Sequence, residues 1–362
     1  MKKGSDKTSH TKSKTKWETF NSKFWWRFGP FLLLLGVICW FPYWFTQFHW
    51  VNYDLRDYGT LGDAINGVMG PFIAMVAAGL TFIAFWVQYR ANELQRDDIK
   101  LERFESKFYE LVRMQNSTVS EFNINNIYFG RKSFLQMYEE LRFCFFSIKQ
   151  ELEQIYHDAK EDALGFKIDD DKRILQIAYL IFFYGIGDTS DKLLKERLVN
   201  YCSNKFADNI IDGLKKKKIN GRQEIKLKNG DKAIFDGQYI PFDGHISRLG
   251  HYYRLLFQAV KYVDNNEKLT IDEKRDYVRT LRAQLSAHEQ VMLYYNIMTS
   301  LGKAWLAGKN RYDSLLIKYK MIKNIPLPLA EFGYPLREEF KAEVERFERE
   351  NPGKKFYEWD EA

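Results

Sequence analysis

Residues that hold metals or close disulfides are scarce in this chain. Its three cysteines, Cys39, Cys144 and Cys202, form no Cys-x-x-Cys pair, which argues against a disulfide framework and a cysteine-rich zinc site. The six histidines are scattered, with no His-Glu-x-x-His and no tight cluster, so no metal is expected. There is no phosphate-binding glycine loop, no Rossmann glycine pattern, no Ser-His-Asp motif and no kinase motif. That removes the common enzyme classes and leaves no cofactor to expect. The body also lacks a charge excess. Of the net +7, residues 1–24 contribute +5, seven lysines against Asp6 and Glu18, so about +2 is left for the rest. By composition the body is not a basic nucleic-acid-binding surface.

Long apolar runs, by contrast, are present. Phe28–Phe48 holds 21 residues without a charge, flanked by Trp25 and Trp26 on one side and Trp40, Trp44 and Trp50 on the other. About 20 apolar residues cross a bilayer as a helix, and tryptophan collects at both interfaces. A second run of 26 uncharged residues lies between Asp63 and Arg90. Within it Gly70, Ala74 and Ala78 fall four apart and share one helix face. That spacing suits close pairing in lipid, with the first span or with a second subunit. The first run has no small-residue cleavage site and is followed directly by a second span, so a signal peptide is not the better reading. Seven lysines and Arg27 precede the first span, whereas the connecting loop at about 47–62 carries Arg56 with Asp54 and Asp57. Positive residues stay inside, so both termini are expected in the cytoplasm. The Lys/Ser/Thr-rich tail is expected to be disordered and drawn to the lipid surface.

The remainder reads as helical. Leu101, Phe104, Phe108, Leu111, Gln115, Thr118 and Phe122 follow a 3-4 alternation, which suits either a short coiled coil between subunits or packing on the domain that follows. Residues 123–130 read as a break, and Phe134 to Ile155 repeats at helical spacing. Residues 173–186 are apolar nearly all round and too short to span a bilayer, which suits a core helix. Alternation around Asn229-Gly230 predicts a β-hairpin over about 223–236, basic and exposed. It follows Lys215, Lys216, Lys217 and Lys218, which are weighed as a nucleic-acid or lipid-headgroup contact against a solvated edge. The Phe340–Asn351 segment is expected to be a charged helix with a frayed tail beyond it.

Two further helices carry the candidate site. One spans 247–263. The other starts at the capping box Thr270-Ile-Asp-Glu273 and continues to about Leu301. On that second helix Arg282, Glu289 and Asn296 fall seven apart and make a polar stripe on an apolar helix. Buried charges need partners, and His251 and Arg254 on the preceding helix are the expected ones. The stripe is either a structural network or a ligand-binding site.

Five segments then form a pattern: Phe-Tyr-Glu-Leu at 108–111, Gly-Arg-Lys-Ser-Phe at 130–134, Gly-His-Tyr-Tyr-Arg-Leu-Leu-Phe at 250–257, Leu-Arg-Ala-Gln-Leu-Ser-Ala-His-Glu at 281–289 and Tyr-Tyr-Asn at 294–296. With two preceding spans they resemble the phage abortive infection membrane proteins of bacteria, the AbiC-type family, over about residues 25–310. The resemblance implies a bacterial inner-membrane protein of antiphage defence, and it supplies no catalytic mechanism. Arg282 and His288 also fit the loose Arg-x(4–6)-His spacing of HEPN-type ribonucleases, where histidine is the general acid/base and arginine stabilises phosphate charge. On one continuous helix, however, a six-residue step turns His288 about 120° from Arg282.

These readings combine into an all-α membrane protein with a small β-hairpin insertion. Its parts are a basic tail (1–24), two spans (25–89), a juxtamembrane helix (90–128), a helical cytoplasmic domain (129–335) and a charged C-terminal segment (336–362). The expected partners are the lipid bilayer, further copies of the chain, and a phage-derived trigger or a co-encoded defence protein. The expected role is a membrane-anchored sensor and effector. The alternatives are a tethered ribonuclease and a non-toxic membrane scaffold.

Overall fold

A computed structural model describes residues 61–155, 164–167 and 169–358, together with Gly29, Leu33, Gly36, Val37 and Trp40. The basic tail, most of the first apolar run and the loop up to residue 60 lie outside the described residues. The chain divides into two compact units, Met1–Glu102 and Arg103–Ala362.

The first unit is described chiefly through helix α1, Leu61–Ser120, which contains Pro71 and continues into the second unit. Its Met69–Ser120 portion is long and apolar enough, by length and composition, to cross a membrane. Ile73, Met75, Leu80, Phe82 and Phe85 are exposed along it. Ala74 and Ala78 are exposed too, and a methyl group added at Gly70 would meet open space among the described residues.

The second unit is mostly helical. In the last part of α1 the buried row is Phe104, Phe108, Val112, Gln115 and Val119. Its 4-4-3-4 steps depart from the 3-4 alternation of a coiled-coil seam. They keep pace with 3.6 residues per turn, as a helix does when it packs on a globular body. Phe104 accordingly stacks on Tyr262 at 5.1 Å, and Phe108 meets the edge of Tyr277 at 5.4 Å. The seam is used inside the domain, and Leu101, its expected first member, is exposed.

Two short strands, β1 (Asn123–Ile124) and β2 (Tyr128–Phe129), close the expected break, with Asn125 and Asn126 at positive φ. Asparagine tolerates that conformation because its short amide bonds locally, and here the Asn123 amide donates to Asn126 at 2.6 Å. Helix α2 follows at Lys132–Ile155. Helix α3, Asp171–Tyr184, lies at the centre, with Ile174, Leu175 and every residue from Ile177 to Tyr184 buried. Its N-cap is Asp170, which accepts from the Arg173 amide. Helices α4 (Asp191–Leu198) and α5 (Asn204–Lys216) lead to the hairpin β3 (Gln223–Lys226) and β4 (Lys232–Phe235). The strands pair antiparallel, from Gln223 opposite Phe235 to Lys226 opposite Lys232.

The hairpin corrects one expectation. Its lysine face is exposed, but Ile225, Leu227, Ala233 and Phe235 are buried, and Phe235 packs on Phe143 of α2. Alternation puts every second side chain on one face, and here that face closes the core. The lysines before it are not a loose basic run either. Lys215 pairs with Asp191 at 2.8 Å, Lys217 with Glu151 at 3.6 Å and Lys218 with Asp243 at 2.7 Å.

Helix α6, Ile246–Asp264, lies one residue from the expected bounds at each end. The long helix expected from Thr270 to Leu301 is instead two helices, α7 (Ile271–Arg282) and α8 (Ala287–Ile297). Ser286 opens α8 with a second capping box, its hydroxyl taking the Glu289 amide and the Glu289 carboxylate taking the Ser286 amide. Short 3₁₀ turns, α9 (Leu315–Lys318), α10 (Leu336–Glu339) and α11 (Lys341–Glu350) complete the unit. The tail beyond α11 is held down as far as Glu358, against the expected fraying. Phe356 and Tyr357 are fully buried, Phe356 meets Phe347 at 5.7 Å, and the Glu358 amide donates to the Lys323 carbonyl.

Candidate functional site

The break between α7 and α8 takes the expected polar stripe apart. Arg282 ends α7, and its Nη1 donates to the carbonyls of Tyr319 and Lys320 at 3.0 and 3.1 Å. Asn296, on α8, donates to the Tyr179 hydroxyl at 3.1 Å, which in turn donates to the Tyr253 hydroxyl at 3.3 Å. Glu289 lies between them in sequence and is buried at 1% exposure. His251 and Arg254, its expected partners, are exposed. The tyrosines beside them in Gly-His-Tyr-Tyr-Arg do the inward work: Tyr252 donates to Glu289 at 3.2 Å and Tyr253 to the Met292 carbonyl at 3.0 Å. On α6 the polar pair 251 and 254 is one turn apart on the outer face, and 252, 255, 256 and 259 turn inward.

Glu289 draws several of the quoted sequence segments to one place. Arg131 brings its Nε to 3.5 Å from the Glu289 carboxylate and donates through Nη2 to the Gln284 carbonyl at 2.6 Å. Asn116 donates to the Gln284 side chain. Gln115, 2% exposed, carries its amide close to the Tyr252 hydroxyl without reaching hydrogen-bond geometry. Burial, and then the Glu289 charge beside it, push the Tyr252 hydroxyl well above its usual range. It therefore stays a donor.

A second buried carboxylate was not anticipated. Glu140 of α2 has no exposed surface and accepts from the Tyr239 hydroxyl at 2.5 Å and the Phe242 amide at 2.7 Å; His245 Nε2 stands 3.0 Å away. Burial works to raise this carboxyl, but the His245 charge and these hydrogen bonds outweigh it and hold it below the usual carboxylate range. Arg248 spans from the His245 Nδ1 side at 3.3 Å to the Asn123 carbonyl at 3.0 Å. The His245 ring lies 4.6 Å from that of Phe182. With both partners this deeply buried, the pair braces α2 against the loop before α6 and offers nothing to a substrate. One signal was available in the sequence. Ser133, Glu140 and Ser147 fall seven apart on the face that also carries Met137, Leu141, Cys144 and Ile148, and all three are fully buried.

The loop that delivers His245 is pinned by backbone. The Ile186 amide donates to the Phe242 carbonyl at 2.8 Å and the His245 amide to the Phe183 carbonyl at 2.9 Å. Gly185 and Gly244, both at positive φ, sit where the two segments cross. A methyl at Gly185 would come to 2.6 Å of the Asp243 backbone, and one at Gly244 to 2.7 Å of the Tyr184 backbone.

No hydrogen bond or ring contact joins Arg282 and His288. Whereas Arg282 is bound to the 319–320 carbonyls, His288 meets the Tyr138 ring at 5.7 Å, and burial lowers its pKa from the ordinary histidine value. No observation joins the two in a ribonuclease pair. Arg282 instead lines a cleft of about 680 Å³ formed by α7, residues 318–323 and α11. This is the candidate site. No group of three or more potential metal ligands occurs among the described residues.

Residues 244–329 match a family described as “Putative phage abortive infection protein”. The resemblance read from the sequence therefore holds over the segment from the His245 loop through α6, α7, α8 and the 318–323 wall of the cleft. No curated protein and no solved structure matches the chain.

Proposed function

We propose that this protein acts in bacterial antiphage defence as a membrane-anchored sensor and effector. The family match over residues 244–329 supports the defence role. One observation favours a sensor coupled to the membrane. Helix α1 carries both the apolar run, with Ile73, Phe82 and Phe85 exposed, and the aromatic row Phe104 and Phe108 that is buried in the helical unit. A ligand that binds one arrangement of the helical unit more tightly biases whatever α1 does at its other end. On this reading the chain sits in the inner membrane with both termini in the cytoplasm. Copies associate through the Gly70, Ala74 and Ala78 face, and a phage-derived component or a co-encoded protein supplies the trigger.

The test is phage plating efficiency on bacteria expressing the wild type, Ala74→Glu and Ala78→Glu, with protein levels measured in the membrane fraction and a dye following membrane potential. Loss of protection in variants that still accumulate is expected, together with depolarisation during infection of wild-type cells. Unchanged protection in both variants would remove the membrane-effector reading. A wild type that gives no protection at all would leave the scaffold alternative.

A further inference from the structure

The charged residues that line the cleft beside Arg282 are mainly cations. Arg275, Arg279 and Arg282 lie on one face of α7, and Lys318, Lys320, Lys323 and Lys354 face them from the two other walls. Among the lining residues Asp272, Asp276 and Glu350 oppose these seven cations, and Lys318 is paired with Asp264 at 2.6 Å outside the lining. The carboxylates are already engaged: Asp272 with Arg275 at 3.4 Å, Asp276 with Arg279 at 2.6 Å and Glu350 with Arg346 at 2.9 Å. The floor is the least compensated part. Arg282 donates to two carbonyl oxygens, and the Glu358 carboxylate acts on it as a nearby charge without an ion pair. Among the described residues no carboxylate lies within ion-pair distance of Lys320, whose ammonium rests 3.5 Å above the Phe347 ring.

Assembling these groups is costly. Like charges at helical spacing repel, and partial burial removes the water that would screen them. Lys320 also adopts φ +52, an unusual conformation for a residue with a side chain. Its pKa is pushed down to about 8, by burial first and then by Lys323, Arg282, Arg275 and Lys354, all cations. A fold tolerates strained, like-charged groups around a cavity where a ligand of opposite charge relieves them.

We infer that this cleft binds a soluble polyanion carrying two or more phosphate groups, with Arg282 and Lys320 at its floor and Arg275, Arg279 and Lys354 at its rim. Arg282, Lys320 and Lys354 converge on the cleft beside Arg275 and Arg279, and so many cationic donors around one space suit a diphosphate or triphosphate better than a single phosphate. At about 680 Å³ the space is that of a nucleotide-sized ligand. Tyr312, half-buried in the wall, provides ring surface for a group attached to the phosphates. Arginine suits phosphate because its planar fork donates two parallel hydrogen bonds, and lysine adds a point charge. The inference concerns ligand chemistry and does not depend on the defence reading.

Calorimetric titration of the purified full-length chain with pyrophosphate, ATP and inorganic phosphate tests it. Pyrophosphate and ATP are expected to bind more tightly than inorganic phosphate, with affinity falling as salt rises. A polyanion favours the charged form of Lys320, so near pH 8, compared between buffers of different ionisation enthalpy, binding should be accompanied by proton uptake. Lys320→Met keeps the stem on Phe347. It should abolish the uptake and weaken binding roughly tenfold to a hundredfold. Arg279→Gln, on an exposed rim position that cannot disturb the core, should weaken binding in the same direction. No binding of pyrophosphate or ATP at millimolar concentration would overturn the proposal. So would binding unaffected by both variants, or preference for a single-stranded RNA oligomer over either small ligand.

Discussion

The carboxylate of Glu140 and the imidazole of His245 stand 3.0 Å apart in the interior, although 105 positions separate them in the chain. Around this pair the Tyr239 hydroxyl, the Phe242 amide and the Arg248 guanidinium complete a polar centre inside an aromatic core. Removing one member of a buried pair leaves the other uncompensated. Glu140→Ala is therefore expected to cost about 3–5 kcal/mol. Urea unfolding of the variant should show a large drop in midpoint, and a change under about 1 kcal/mol would mean that the centre is not a brace.

The same pair sets an acid limit. The native Glu140 carboxyl lies below its unfolded value, because the His245 charge and three hydrogen bonds outweigh burial. The unfolded state then binds the proton more readily. The contribution is fully present above the ordinary carboxylate pKa and is lost as pH falls through the lower native one. Stability measured by urea midpoint from pH 7 downward should decline more steeply in the wild type than in Glu140→Ala. Parallel declines would assign the acid sensitivity to other carboxylates.

Gly244 carries a steric prediction. A methyl there clashes with the Tyr184 backbone at 2.7 Å and also adopts φ +85, whereas Gly230 at φ +92 faces open space. Gly230→Ala should cost only the conformational penalty, about 1 kcal/mol. Gly244→Ala should cost clearly more and should also displace His245, whose amide bonds across the same crossing. Equal losses in thermal unfolding would show that the crossing relaxes easily.

His288 separates defence from RNA cleavage. It packs on Tyr138, and Arg282 bonds the 319–320 carbonyls, so His288→Ala is expected to leave protection against phage intact. Loss of protection in that variant, accompanied by cleaved transfer RNA in infected cells, would return the ribonuclease reading.

Local segments of the sequence were legible, and for one reason: helix periodicity and hairpin chemistry act over a few residues. Helices α3 and α6, the 123–130 break and the Asn229-Gly230 hairpin follow from that. The break at 283–286 was missed, although Ser286-Ala-His-Glu289 is a capping box of the same kind as Thr270-Ile-Asp-Glu273. An apolar period running through both segments hid it. The family resemblance was likewise carried by residues, and it holds over 244–329.

Partnership was not legible. Whether the row from Phe104 to Phe122 would face another chain or its own domain depended on Tyr262 and Tyr277 lying opposite it. Whether Glu289 would meet His251 or Tyr252 depended on which side of α6 turned inward, and whether Lys215 to Lys218 would stay free depended on Asp191, Glu151 and Asp243. Sequence by itself determined the helical elements, the apolar runs and the family segment, since each rests on neighbours along the chain. Only the tertiary structure decided that Glu140 meets His245 and that Arg282 and Lys320 share a cationic cleft, because pairing of charges depends on distance in space, and residues far apart in sequence were brought within a few ångströms.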